Sequence, residues 1–159
     1  SSLAGWKTYS QAGTKTWFSY KTGSLGPFIE TTAYNSAQES VISWMITPLI
    51  DLSVAASPFL TFESADGYDK GATLELFVST DYTESATPWT STWIKHSFTL
   101  PPSYTSGYSP FVSSGKVDLS SYIGNTIFIA WVYTGADPAG STGDKTTTWE
   151  VDNILIGEE

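Results

Sequence analysis

The run TIFIAWVY (126–133) limits the possible folds more than any other stretch of this chain. It is apolar on both faces, yet far shorter than the roughly 20 apolar residues a membrane-crossing helix needs. Its β-branched and aromatic side chains pack well on a pleated surface. Such a strand needs cover on both sides, as the central strand of a two-layer sandwich has.

The rest of the chain reads as roughly ten short segments divided by turn residues. TKTWFSY (14–20), PFIETTAY (27–34), SVISWMI (40–46), PFLTFES (58–64), ATLELFVST (72–80) and WIKHSFTL (93–100) are predicted strands. In 72–80, Leu74, Leu76 and Val78 share one face, predicted to be core, and Thr73, Glu75, Phe77 and Ser79 share a mixed one. Pro48, in TPLIDLS, lacks a ladder donor and marks a strand end or edge, so this stretch reads as a corner between sheets. ADGYDKG carries Asp-Gly and Lys-Gly turn signals. PPSYTSGYSPFVSSG (101–115) is a long region of Pro, Gly and Ser that nevertheless holds Tyr104, Tyr108 and Phe111, which argues against simple disorder. No repeat, linker or heptad interrupts the chain, so one domain is expected over residues 1–159. A chain opening at Ser1 without Met is expected to follow a leader, anchor or further domain.

Composition agrees with an all-β protein. Ser and Thr total 45, the chain has seven Trp, nine Tyr and eight Phe, and strong helix formers are sparse. A net charge of −9 with no Arg argues against nucleic acid, whose binding draws on Lys and Arg that displace counterions. The absence of Cys excludes disulfides, thiolate catalysis and Cys zinc sites. No direct membrane insertion is expected.

The closing stretch TTTWEVDNILIG (146–157) places an Asp-Asn pair inside an apolar strand pattern. A buried, unpaired carboxylate is costly, so Asp152 requires a strong partner. Calcium is one candidate, since it gathers carboxylate and carbonyl oxygens. Backbone N–H and hydroxyl donors are the other.

Several strings in order, namely GW (5–6), SWMITPLIDL (43–52), LTFES (60–64), LELFVSTDY (74–82), VDLSSYIGN (117–125) and TTWEVDNILI (147–156), are similar to one known group. The chain resembles the choice-of-anchor and cleaved-adhesin jelly-roll domains of Bacteroidetes surface and secreted proteins. The resemblance spans nearly the whole chain. It implies a galactose-binding-like β-sandwich, related in shape to carbohydrate-binding modules, often with a structural calcium ion. It places Asp152 at the acidic position of the closing strand, and Glu39 where an acidic residue often stands, so both are expected metal ligands. It also implies an extracellular or cell-surface location.

Aromatic residues outside the clearest strands are the best sequence hint of a ligand. Sugar C–H faces pack on Trp and Tyr rings while their hydroxyls seek polar partners. Trp89, Tyr82, Tyr104 and Tyr108 are the candidate platform; equally, such rings can close the open ends of a core. Trp44, Trp131 and Trp149 lie within strand patterns and are predicted core residues. Catalysis has little to build on. His96 is the only histidine, no nucleophile elbow is present, and zinc hydrolysis lacks its usual His or Cys ligands. Glu63, Asp66 and Glu75 could supply a carboxylate pair for glycan cleavage, but Asp66 and Asp69 read more simply as hairpin-turn residues. The expected function is a non-catalytic extracellular module binding a polysaccharide, glycan, host or matrix surface. A structural or protein-interaction spacer is the alternative.

Overall fold

A computed structural model describes residues 3–23, 26–140 and 142–158. Among these, the strands in chain order are β1 (Lys7–Ala12), β2 (Phe18–Tyr20), β3 (Phe28–Thr31), β4 (Gln38–Ile46), β5 (Ile50–Asp51), β6 (Pro58–Gly67), β7 (Thr73–Ser79), β8 (Ile94–His96), β9 (Val112–Ser113), β10 (Val117–Asp118), β11 (Thr126–Asp137) and β12 (Thr148–Glu158). They form two antiparallel sheets, as expected of a jelly roll. The first runs β1-β4-β11-β7-β8, with β5 added to β11; the second runs β10-β6-β12-β3-β2, with β9 added to β6. No helix of the described residues is long and apolar enough to cross a membrane.

The core lies between the sheets. Alternation aims Ile127, Ile129, Trp131 and Tyr133 of β11, with Leu74, Leu76 and Val78 of β7, at Leu60, Phe62, Trp149 and Val151 of the second sheet. Trp131 packs edge-on to Phe62 across this layer, ring centroids 5.3 Å apart. Tyr133 bolts the sheets together: its buried hydroxyl accepts the Ala33 N–H at 2.8 Å and donates to the Thr147 carbonyl at 3.1 Å.

The other face of the β11 run explains why that run is apolar throughout. Phe128, Ala130 and Val132 join Trp44, Ile46 and Tyr82 in a second buried cluster on the outside of the first sheet. The segment 80–93 folds over this face. Trp93 lies 5.4 Å from Trp44 and 5.5 Å from Tyr82, and its indole N–H donates to the Pro88 carbonyl at 2.9 Å. Trp44 is therefore buried as expected, but outside the sandwich rather than between its layers.

Three local readings differ from the sequence expectation. Lys7–Ala12 forms an edge strand although its alternation is mostly polar, because pairing with β4 satisfies its backbone. In 14–20 only Phe18–Tyr20 pairs; Trp17 just before it is buried, its indole N–H donating to the Ser43 carbonyl across the sandwich. The Asp-Asn pair of the closing strand marks a β-bulge: register with β6 shifts between Asp152 and Leu155, and Asn153 takes a positive φ of 50°. Trp149 and Val151 face the core before the bulge, and Ile154 and Ile156 pack against it afterwards.

Candidate functional site

The alternation that sends Ile29, Trp149 and Val151 inward sends Phe28, Glu30, Thr148 and Glu150 to the outer face of the second sheet. There the register lines up Ala65, Glu150, Glu30 and Phe18 across β6, β12, β3 and β2. Two glutamates thus stand directly opposite each other on adjacent strands. Ala65, buried beside Glu150, presents only a methyl group to it.

Aromatic rings wall this row. Phe28 is covered by Tyr20 at 5.7 Å and Phe111 at 5.8 Å, both edge-on. On the far side Tyr108 lies over the sheet at Gly67, where any Cβ would overlap its ring. Gly67 and Tyr108 also form a backbone bridge, and Tyr68 meets the Tyr108 ring edge-on at 5.4 Å. Two adjoining cavities flank Tyr108. One, of about 380 Å³, is lined by Tyr34, Tyr68, Lys70 and Thr148; the other, of about 460 Å³, by Tyr20, Ser109, Phe111 and Glu150. Tyr108 itself stays 47% exposed. Walls of this kind offer ring faces and edges beside the hydroxyls of Thr146, Thr148 and Ser109 and the carboxyl of Glu150, while Glu30 lines neither cavity.

The electrostatics of this row are unusual. Glu30 is 9% and Glu150 5% exposed. Among the described residues neither is in an ion pair, and no hydrogen bond acts to hold either in its charged form. Burial pushes the Glu150 carboxyl up to about 7, and the facing Glu30 charge adds to the shift. Burial likewise raises Glu30. The Tyr108 hydroxyl is raised by burial and then by the Glu30 charge, while its contact with Thr148 opposes the shift.

The loop carrying Tyr108 is anchored from below by the turn after β6. Asp66, 2% exposed, accepts the Tyr104 N–H at 3.1 Å, and its backbone exchanges hydrogen bonds with Ser109. Asp69 accepts the Ser103 and Thr147 hydroxyls, and its N–H donates to the Tyr104 carbonyl at 2.7 Å. The Ser103 hydroxyl, chiefly, holds the Asp69 carboxyl below its ordinary range, whereas burial raises Asp66. Asp66 and Asp69 are thus loop anchors, not the solvated turn residues their sequence suggests.

The four candidate platform residues do not converge. Tyr104 and Tyr108 belong to the second sheet's loop, with the Tyr108 ring in the groove; Tyr104 is exposed but lines neither cavity. Tyr82 and Trp89 belong to the cover over the first sheet. Tyr82 is 4% exposed, wedged between Phe128 and Trp93 with its hydroxyl donating to the Ser85 carbonyl, and has no face to offer a sugar. Trp89 is half-buried against the same cluster. The loops bearing these rings are separate in space although both are aromatic-rich in sequence.

The carboxylates singled out for metal or catalysis are also dispersed. Glu39 is exposed on β4 of the first sheet, whereas Asp152 lies on β12 of the second, opposite Glu63. Glu63 in turn accepts the Asn153 side-chain N–H at 2.6 Å. No group of three or more His, Asp or Glu among the described residues is placed to hold a metal ion. Asp152 and Glu39 thus stand on different sheets. A calcium ion held at either one by the native state would raise the melting temperature of chelator-treated protein when calcium is added back; an unchanged melting temperature would remove it. Glu75 pairs with Lys95 on the first sheet, far in topology from Glu63 and Asp66 on the second. His96 hydrogen-bonds the Tyr122 hydroxyl at 2.7 Å.

Glu30 and Glu150 went unmarked in the sequence. The available signal was a glutamate next to large apolar residues in each of two predicted strands, FIE in PFIETTAY and WEV in TTTWEVDNILIG.

No protein-family model and no curated protein sequence matches the chain. Solved structures do. The K1 cleaved adhesin domain of Lys-gingipain from Porphyromonas gingivalis W83 superposes with a TM-score of 0.65 at 14% identity, covering 98% of this chain and 92% of that one. The K3 cleaved adhesin domain of the same protein gives 0.62 at 16% identity, with 98% and 92% covered. The family 11 carbohydrate-binding module from Clostridium thermocellum, solved in complex with a β-1,3-1,4-mixed-linked tetrasaccharide, gives 0.51 at 13% identity, with 98% and 89% covered. At these identities the likeness is one of fold: the chain has the β-sandwich architecture shared by cleaved adhesin domains and carbohydrate-binding modules.

Proposed function

We infer that this chain is a non-catalytic, adhesin-like module that binds a glycan on the outer face of its second sheet, at the bacterial cell surface or outside the cell. The observation that carries this reading is the pair of cavities meeting at Tyr108, where tyrosine rings stand beside threonine and serine hydroxyls and the Glu150 carboxyl. Apolar walls with a few placed polar groups are the usual build of a ligand site, and sugars match it with C–H faces and ring-edge hydroxyls. The fold shared with carbohydrate-binding modules and adhesin domains supports the same reading, as does the acidic, Arg-free surface.

Affinity-gel electrophoresis against a polysaccharide panel tests it. Retention of the parent domain is expected, with Tyr108→Ala weakening it roughly tenfold through the lost ring contact, while Trp89→Ala leaves it unchanged. If no polysaccharide retards the parent, the spacer reading replaces this one. If Tyr108→Ala is retained like the parent, the groove is the wrong face.

A further inference from the structure

We propose that the Glu30–Glu150 pair is a cation subsite, and that the glycan this groove takes carries a protonated amino group, as a de-N-acetylated amino sugar does. The proposal rests on the glycan reading above and narrows it.

Burying two facing carboxylates without a compensating charge is unfavourable, and proteins resolve such pairs by protonation or by a bound cation. Among the described residues no cation is paired with them. The described ion pairs are Lys70–Asp144 and Lys95–Glu75. Lys70 lines only the cavity on the other side of Tyr108, and no lysine lines the cavity that reaches Glu150. A neutral sugar hydroxyl could be held by one carboxylate and gives no return for burying two. An ammonium group does, since its N–H donors can meet Glu150 where the cavity reaches it while its positive charge is also attracted by the Glu30 carboxylate on the facing strand. The rings of Tyr20, Phe111 and Tyr108 around the same cavity add the quadrupole attraction that aromatic walls exert on cations.

Two other occupants fit less well. A divalent ion would want more ligands than the pair provides, and the described residues hold no acidic or histidine group of three. A glycosidase pair would need both carboxyl groups at the substrate, flanking the scissile bond. Of this pair Glu150 lines the cavity and Glu30 does not.

Isothermal titration at pH 6 with β-1,4-linked glucosamine tetramer, its N-acetylated counterpart and a neutral glucan tetramer decides the matter. The amino tetramer is expected to bind at least about tenfold more tightly than the other two, as a charge-assisted contact in a buried site should. Proton release, read from buffers of different ionisation enthalpy, should accompany it, because the cation displaces the proton from the raised acid. Both effects should shrink in Glu150→Gln and in Glu30→Gln, two isosteric changes made separately so that a folding defect in one is recognised by the other. Equal or tighter binding of an uncharged tetramer would overturn the amine assignment and leave the glycan reading standing. Binding of none of the three, together with no retention on the wider panel, would overturn both. Release of reducing ends from any tetramer would overturn the cation subsite in favour of catalysis.

Discussion

Between pH 5 and pH 8 the parent domain is expected to lose stability, and Glu150→Gln to lose much less. The carboxyl of Glu150 moves from an ordinary 4.5 to about 7 in the folded protein, through burial and then the facing Glu30. The native state therefore holds a proton that the unfolded chain has already released over this window, and stability must fall as pH rises through it. The full contribution is present below pH 4.5 and gone above 7. At about 1.4 kcal/mol per pKa unit the loss is on the order of 3 kcal/mol, or about 6–12 °C in melting temperature for a domain of this size. Glutamine keeps the shape, cannot ionise, and can donate to Glu30 across the strand pair. At pH 8 the variant should melt above the parent, with the curves converging toward pH 5. Parallel pH profiles for the two proteins would show that the buried pair does not titrate as described.

The second large effect concerns the turn that carries the groove's outer wall. Asp66→Ala is expected to cost about 1–3 kcal/mol, because it removes the buried carboxylate that accepts the part-buried Tyr104 N–H. It should also weaken glycan retention, since Tyr108 rides on the loop anchored there. Asp66→Asn separates shape from charge. Its amide oxygen can keep the Tyr104 contact, and the second carboxylate oxygen, buried without a partner, is replaced by a neutral group with a lower desolvation cost. The asparagine variant should match the parent in urea unfolding at pH 7, while the alanine variant unfolds at lower urea. Equal losses in both would mean that the negative charge, not the hydrogen bond, secures the loop.

Much of the architecture is written locally and could be read from the sequence. The alternation of Leu74, Leu76 and Val78 placed β7, the doubly apolar 126–133 run announced a covered central strand, and Pro48 marked a strand end, although the chain stays on the first sheet through β5 and turns to the second only before β6. These signals depend on a residue's immediate neighbours. The site does not. Glu30 and Glu150 meet because β3 and β12 pair in one register, and no local pattern states that pairing. Tyr82 and Tyr108 are alike as loop tyrosines; only the sheet each loop falls on makes one a plug and the other a wall. The Asp152–Asn153 pair drew attention as a carboxylate in need of a partner. Its principal structural consequence is a change of phase, with the left-handed Asn153 letting the apolar residues on both sides of the bulge reach the same core.

The cover over the first sheet makes the module one-sided. With 80–93 covering that face, the two cavities at Tyr108 open on the opposite one. For copies strung together or planted on a surface, avidity would then be governed less by linker reach than by linker torsion. Two copies gain from each other when their grooves point the same way, and a half-turn between them leaves the second as dead weight.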